Sequence, residues 1–122
     1  KKSNLKVFGD DYPTPDGTCV RDYVHVTDLA QAHLLGLEYM QKSKGFSVFN
    51  LGNGGGFSVL DVLSSCEKVL GKSIDYEVVG GRLGDPASLV ADSYQASTAL
   101  FWKPNFGNLN RIVETAWKWH SN

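Results

Sequence analysis

Apolar and polar residues alternate over residues 5–9, Leu-Lys-Val-Phe-Gly, which predicts a short strand ending at Gly9. The same period of two returns over residues 20–26, Val-Arg-Asp-Tyr-Val-His-Val. Between them, residues 10–18 read Asp-Asp-Tyr-Pro-Thr-Pro-Asp-Gly-Thr, a loop whose Pro-Asp-Gly forms a turn. After Thr27 the period lengthens. Thr27 is the expected N-cap of a helix over roughly 28–42. Leu29, Ala30, Ala32, Leu34, Leu35, Leu37, Tyr39 and Met40 leave it only a narrow polar stripe through Asp28, Gln31, Glu38 and Lys42. A surface helix normally has one apolar face, so this one is expected to be covered on two sides. Little else in 122 residues can supply both covers, and part of the cover is expected to lie outside this chain.

Residues 46–51, Phe-Ser-Val-Phe-Asn-Leu, read as a buried strand, followed by the glycine-rich run Gly52 to Gly56. Ser58 with Asp61 three residues on is a capping-box pattern, and Val59, Val62, Leu63, Cys66, Val69 and Leu70 follow at helical spacing until Gly71. A strand over 74–79, a loop over 80–86, an extended Ser88–Asp92 and a short helix over 94–101 come next. Trp102-Lys103-Pro104 ends that helix, and a last one starts near Leu109 with Ile112, Val113, Ala116 and Trp117 on one face. The fold class is therefore α/β, as a single truncated domain over 1–122.

Composition removes several function classes. Twelve basic residues face thirteen acidic ones without long charge runs, which disfavours nucleic acid and anionic membranes as partners. No apolar run is long enough to span a bilayer and no signal-peptide pattern opens the chain, so a cytoplasmic location is expected. Cys19 and Cys66 sit in no metal-like spacing and are expected to be reduced thiols. The chain opens Lys1-Lys2-Ser3-Asn4 without Met, which suggests a piece of a longer protein.

Three groups of residues could carry chemistry. The Gly52-x-Gly54 run approaches a dinucleotide fingerprint, with Asp75 about twenty residues on, but Phe57 stands where the third glycine belongs. It is either a pyrophosphate loop or a strand-to-helix turn, and the turn is favoured. Arg21 and Arg82 flank loops rich in Gly and Pro, and a guanidinium forks onto phosphate oxygens. Asp85 could then accept hydrogen bonds from ribose or sugar hydroxyls. Spacing alone leaves open whether Arg21 instead pairs with Asp22 or another surface acid. His25, His33 and His120 lack the neighbours of a metal site.

Taken together, these segments resemble the UDP-glucose 4-epimerases, members of the extended short-chain dehydrogenases. The stretch from Leu5 to Ala30, containing Asp-Tyr-Pro-Thr-Pro-Asp-Gly-Thr-Cys-Val-Arg-Asp-Tyr-Val-His-Val, is the most specific part. Val48 to Gly54, Arg82-Leu-Gly-Asp-Pro-Ala-Ser-Leu-Val-Ala-Asp92, Leu100 to Pro104 and the Trp117-Lys-Trp119 tail are similar as well. The family more often has Gly where Phe101 stands.

The resemblance implies the C-terminal, substrate-binding part of a Rossmann-type enzyme, with the NAD-binding part largely absent. The strand like 46–51 would join the edge of the large N-terminal sheet. Phe8 would lie by the uracil, Arg21 and Arg82 would hold the diphosphate, Asp85 would bind the ribose, and Leu89 would border the sugar's 2-position. The intact enzyme would be a homodimer interconverting UDP-galactose and UDP-glucose through a 4-keto sugar, with NAD carrying the hydride. The family's catalytic Tyr-x-x-x-Lys is missing: Tyr12, Tyr23, Tyr39, Tyr76 and Tyr94 are followed at that spacing by Asp16, Thr27, Ser43, Gly80 and Thr98. This chain alone is therefore expected to be inactive, self-associating, and without catalytic, NAD-binding or metal residues of its own. Two rivals stay open: another UDP-sugar epimerase or dehydratase, against which the 10–18 run argues, and a non-catalytic nucleotide-sugar-binding module.

Overall fold

The computed structural model describes residues 5–122, and the Lys1 to Asn4 opening lies outside them. In chain order the elements are β1 (Leu5–Phe8), β2 (Val20–Arg21), α1 (Val26–Lys42), β3 (Phe57–Ser58), α2 (Val59–Leu70), β4 (Tyr76–Val79), β5 (Ser88–Leu89), α3 (Tyr94–Ala99) and α4 (Leu109–His120). They form two small sheets. β1 pairs in parallel with β4, and the central β2 runs antiparallel to β3 and parallel to β5. No helix among the described residues is long and apolar enough to cross a membrane.

The local signals around α2 act as expected. Ser58 Oγ accepts from Asp61 N, Asp61 accepts in return from Ser58 N, and Gly71 closes the helix with φ 70°. α4 packs along α2 with Leu109, Ile112 and Val113 half-buried, whereas Ala116 and Trp117 stay exposed. The loop over 10–18 makes its turn from Thr14 to Gly17, and Asp16 Oδ1 accepts from both Thr18 N and Thr18 Oγ1.

Three expectations need correction. The alternating run at 20–26 forms a strand only at Val20–Arg21. The first helix begins earlier than expected and is capped by His25, not Thr27, because the His25 ring Nδ1 accepts from Thr27 N. That ring is buried, lies stacked on Phe106, and bonds through Nε2 to Thr115 Oγ1. Residues 46–51 form no ladder. Their alternation holds, since Phe49 and Leu51 pack inward while Phe46 and Val48 are exposed. A ladder also needs a neighbouring backbone, and no strand among the described residues pairs with this one.

The main core joins Ala32 of α1 to Ala96, Leu100 and Trp102, with Val24, Leu35, Tyr39, Phe49 and Leu51 around it. Asp28 pins this core from α1. It is 2% exposed, its carboxylate accepts from Asn105 N and Phe106 N, and its carbonyl accepts from Trp102 Nε1. The opposite side of α1 lacks the expected cover. Leu34, Leu37 and Met40 are exposed, and Leu37 and Met40 with Phe46 at 93% border an apolar groove of about 550 Å³.

Candidate functional site

Phe8 ends β1, and Arg82 follows β4 by three residues. The parallel pairing of Phe8 with Val79 brings the two strand ends together, and Gly9 N extends it by donating to Val79 O. The consequence is a contiguous chain of side chains. The Arg82 guanidinium lies 4.7 Å above the Phe8 ring, and Arg82 Nε donates to Asp85 Oδ2 at 2.9 Å. Asp85 is the more sheltered of the ion pair, and Arg82 points into solvent. Nε is thereby used, while the outer guanidinium nitrogens make no hydrogen bond to the described residues.

Arg21 and Leu89 form a second group. They sit in register on the parallel strands β2 and β5. Arg21 Nη1 donates to the Val20 carbonyl, and among the described residues no acidic group pairs with it. Asp22, the acid nearest in sequence, is committed elsewhere. Its Oδ1 accepts from Asn53 N, and its Oδ2 accepts from Ala91 N at 2.6 Å. Gly52 makes this possible, because a Cβ there would lie 2.9 Å from Asp22 Oδ2. Leu89 is 61% exposed. The structure thus gathers Phe8, Arg82 and Asp85 by direct contact, and Arg21 with Leu89 by strand register.

The glycine-rich run serves as a turn. β3 separates it from α2, unlike a loop that opens straight into a helix. The donors at the start of α2 are also taken within the chain. Val59 N donates to Cys19 O, Leu60 N to Thr18 Oγ1, and Asp61 N to Ser58 Oγ. A helix N-terminus binds a phosphate through such free N–H groups, and these are spent. The glycine-rich run and the start of α2 therefore do not fit the pyrophosphate of a dinucleotide.

Tyr23 and Asp16 are both shifted from their ordinary values. Burial raises the Tyr23 hydroxyl above its ordinary 10.0, against the pull of the neighbouring Arg21. Despite some burial, Asp16 is held below its ordinary 3.8 by hydrogen bonds from Ser58 and Thr18. Among the described residues no three His, Cys, Asp or Glu side chains could hold a metal ion. Asp22 and Tyr12, whose ring lies against Gly9 and Gly81, were not singled out in the sequence. For Tyr12 the only available signal was its place in a loop dense in Pro, Asp and Gly.

Comparison with known proteins agrees with the resemblance. The NAD dependent epimerase/dehydratase family profile matches residues 1–52. The UDP-glucose 4-epimerase of Lacticaseibacillus casei is 49% identical over 99% of this chain and 37% of its own length. A crystal structure of a UDP-glucose 4-epimerase superposes with TM-score 0.92 at 48% identity, over 98% of this chain and 36% of that one. The Bifidobacterium longum UDP-glucose 4-epimerase, in complex with NAD+ and UDP, gives TM-score 0.91 at 39% identity, over 98% of this chain and 35% of that one. The chain thus spans little more than a third of the length of the curated relatives it matches.

Proposed function

We propose that this chain is the C-terminal, UDP-sugar-anchoring portion of a longer UDP-glucose 4-epimerase. The observation that carries the reading is the contact chain Phe8–Arg82–Asp85, with Arg21 unpaired by any acid among the described residues. An aromatic face, two guanidinium groups and a carboxylate match, in turn, a pyrimidine, a diphosphate and a ribose diol. Arg82 covers one face of Phe8, so the uracil takes the other face or the ring edge. The outer nitrogens of Arg82 and the forked end of Arg21 meet phosphate oxygens. Asp85, already oriented by Arg82 Nε, keeps lone pairs for hydroxyl donors.

Holding UDP at this remote end fixes the sugar at the reacting end, so the binding energy serves positioning. In the intact enzyme NAD supplies the hydride acceptor. Its site, together with the catalytic Tyr and Lys, is assigned to the part of the enzyme outside this chain, because the residues here offer neither. The chain alone is inactive in this reading. A cytoplasmic location and a homodimeric intact enzyme belong to the same reading and follow from the resemblance.

Leu89 sets the substrate range in this account. It has room for a 2-hydroxyl and some of the room, but no polar partner, for an acetamido group. The enzyme prefers UDP-glucose and UDP-galactose, with weak activity on N-acetylated sugars, since such steric discrimination is worth only about 1–3 kcal/mol. Leu89→Tyr should sharpen the preference. The deciding experiment is calorimetry of UDP binding to the full-length protein. Arg82→Ala and Arg21→Ala should each weaken binding by about 1.5–3 kcal/mol. Unchanged affinity in both variants would overturn the assignment.

A further inference from the structure

Loops 10–18 and 80–86 are far apart in sequence but meet at one ring. An ideal Cβ at Gly9 would lie 2.7 Å from Tyr12 Cε2 and 3.3 Å from Gly81 Cα. An ideal Cβ at Gly81 would lie 2.7 Å from the Tyr12 hydroxyl oxygen, with Cζ next at 3.4 Å. The Tyr12 ring therefore rests on two glycines whose backbones lie close together. Each adjoins a residue of the contact chain above: Gly9 follows Phe8, and Gly81 precedes Arg82. Tyr12 is itself fixed from its own loop, where its N–H donates to Gly17 O at 2.9 Å. That loop is braced in turn, since Asp16 accepts from Thr18 and from Ser58 Oγ at the start of α2. Burial and then the neighbouring Cys19, Asp85 and Asp11 side chains raise the Tyr12 hydroxyl above its ordinary 10.0.

We propose that Tyr12 is a positioning residue for the nucleotide site: its ring, seated on Gly9 and Gly81, sets the spacing between Phe8 and the Arg82–Asp85 loop. This rests on the UDP-anchoring reading. Among the described residues Tyr12 makes no side-chain hydrogen bond to Arg21, Arg82 or Asp85, so it acts through the two glycine backbones. Both must lack a side chain for the ring to lie where it does. Gly9 also has φ 93°, a conformation that a side chain strains in its own right, whereas no positive φ burdens Gly81. Gly81 is therefore the clean probe of the contact.

The test is UDP affinity of the full-length protein by calorimetry, with NAD content and melting temperature measured alongside. Tyr12→Ala should weaken UDP binding by about tenfold to a hundredfold, the scale of a displaced anchor, while bound NAD is retained. Tyr12→Phe keeps the ring and should bind nearly as the unsubstituted protein does. Gly81→Ala should lose affinity, or fail to fold, because its methyl meets the Tyr12 hydroxyl. The combination Gly81→Ala with Tyr12→Phe removes that oxygen, leaves the next atom at an ordinary distance, and should restore both. If Gly81→Ala is equally impaired with Tyr or Phe at position 12, the proposed contact is wrong. It is wrong too if Tyr12→Ala binds UDP normally while Arg82→Ala does not. Failure of the unsubstituted protein to bind UDP would overturn the anchoring reading and this inference together.

Discussion

The two sides of this molecule satisfy themselves differently. On the side of β1, β2 and β5, short strands and loops are cross-braced by carboxylates that accept backbone N–H groups: Asp16 from Thr18, and Asp22 from Asn53 and Ala91. On the side of α1 and residues 43–51, the backbone of 46–51 joins no ladder and large apolar residues face outward. The first side is polar architecture with an exposed Arg82 and a half-buried Arg21 that no acid among the described residues pairs, suited to a charged ligand. The second is half of an apolar interface. In the proposed reading, ligand recognition is built within this chain, and the exposed apolar side is covered by another part of the longer enzyme.

The largest effect that would break this contrast concerns the open side. The chain alone should self-associate, since Leu34, Leu37, Met40, Phe46 and Val48 are all exposed and Leu37, Met40 and Phe46 border one apolar groove. Light scattering that finds only monomer over a wide concentration range would contradict it. Next comes Asp28, which joins α1 to the segment after Trp102. Asp28→Ala strands two backbone donors, at Asn105 and Phe106, and should destabilise the full-length protein by about 3–4 kcal/mol in denaturant unfolding. A loss below about 1 kcal/mol would mean that water or another group replaces the carboxylate readily.

Asp16 probes the polar side. Asp16→Asn should cost about 1–2 kcal/mol, reduced because the residue is exposed. Its folded pKa lies below the ordinary 3.8, so its contribution is complete at neutral pH and above 3.8. It is lost as pH falls from there through the folded value. The stability difference between the two proteins should therefore shrink only in that acid window. A difference that vanishes already near neutrality would point to another group.

The smallest expected effect is a gain. Phe101 adopts φ 55° just past α3, where Trp102 N reaches back to Ala96 O and closes the helix end. Left-handed backbone disfavours a side chain, and this one is 86% exposed with little packing to compensate. Phe101→Gly should stabilise the protein by about 1 kcal/mol in thermal or denaturant unfolding, and no gain would show that the ring contributes packing after all.

Position 101 also shows what a sequence makes legible. Signals that act within a few residues were readable: the Ser58–Asp61 cap, the Gly71 stop, and the turn of Pro15, Asp16 and Gly17; the left-handed backbone at Phe101 was not. Signals that depend on a distant partner were not. Thr27 has the usual chemistry of a cap, but His25 takes the role because Thr115 and Phe106, far along the chain, hold its ring. Asp22 was read as a possible partner for Arg21 because the two are adjacent. Its true partners lie 31 and 69 residues away. The 46–51 alternation was legible, but a ladder also requires a neighbouring strand. For the site, residue types suggested Arg21, Arg82 and Asp85, the resemblance added Phe8 and Leu89, and only the structure showed that Phe8, Arg82 and Asp85 touch.

Hydrogen exchange of the full-length protein, with and without saturating UDP, tests the central contrast most directly. UDP should slow exchange at amides of residues 80–86 and around Phe8 and Arg21. It should leave residues 43–51 and the outer face of α1 unchanged, because those belong to the apolar interface and not to the ligand. Protection confined to 43–51 and α1, with the 80–86 loop unaffected, would contradict the account.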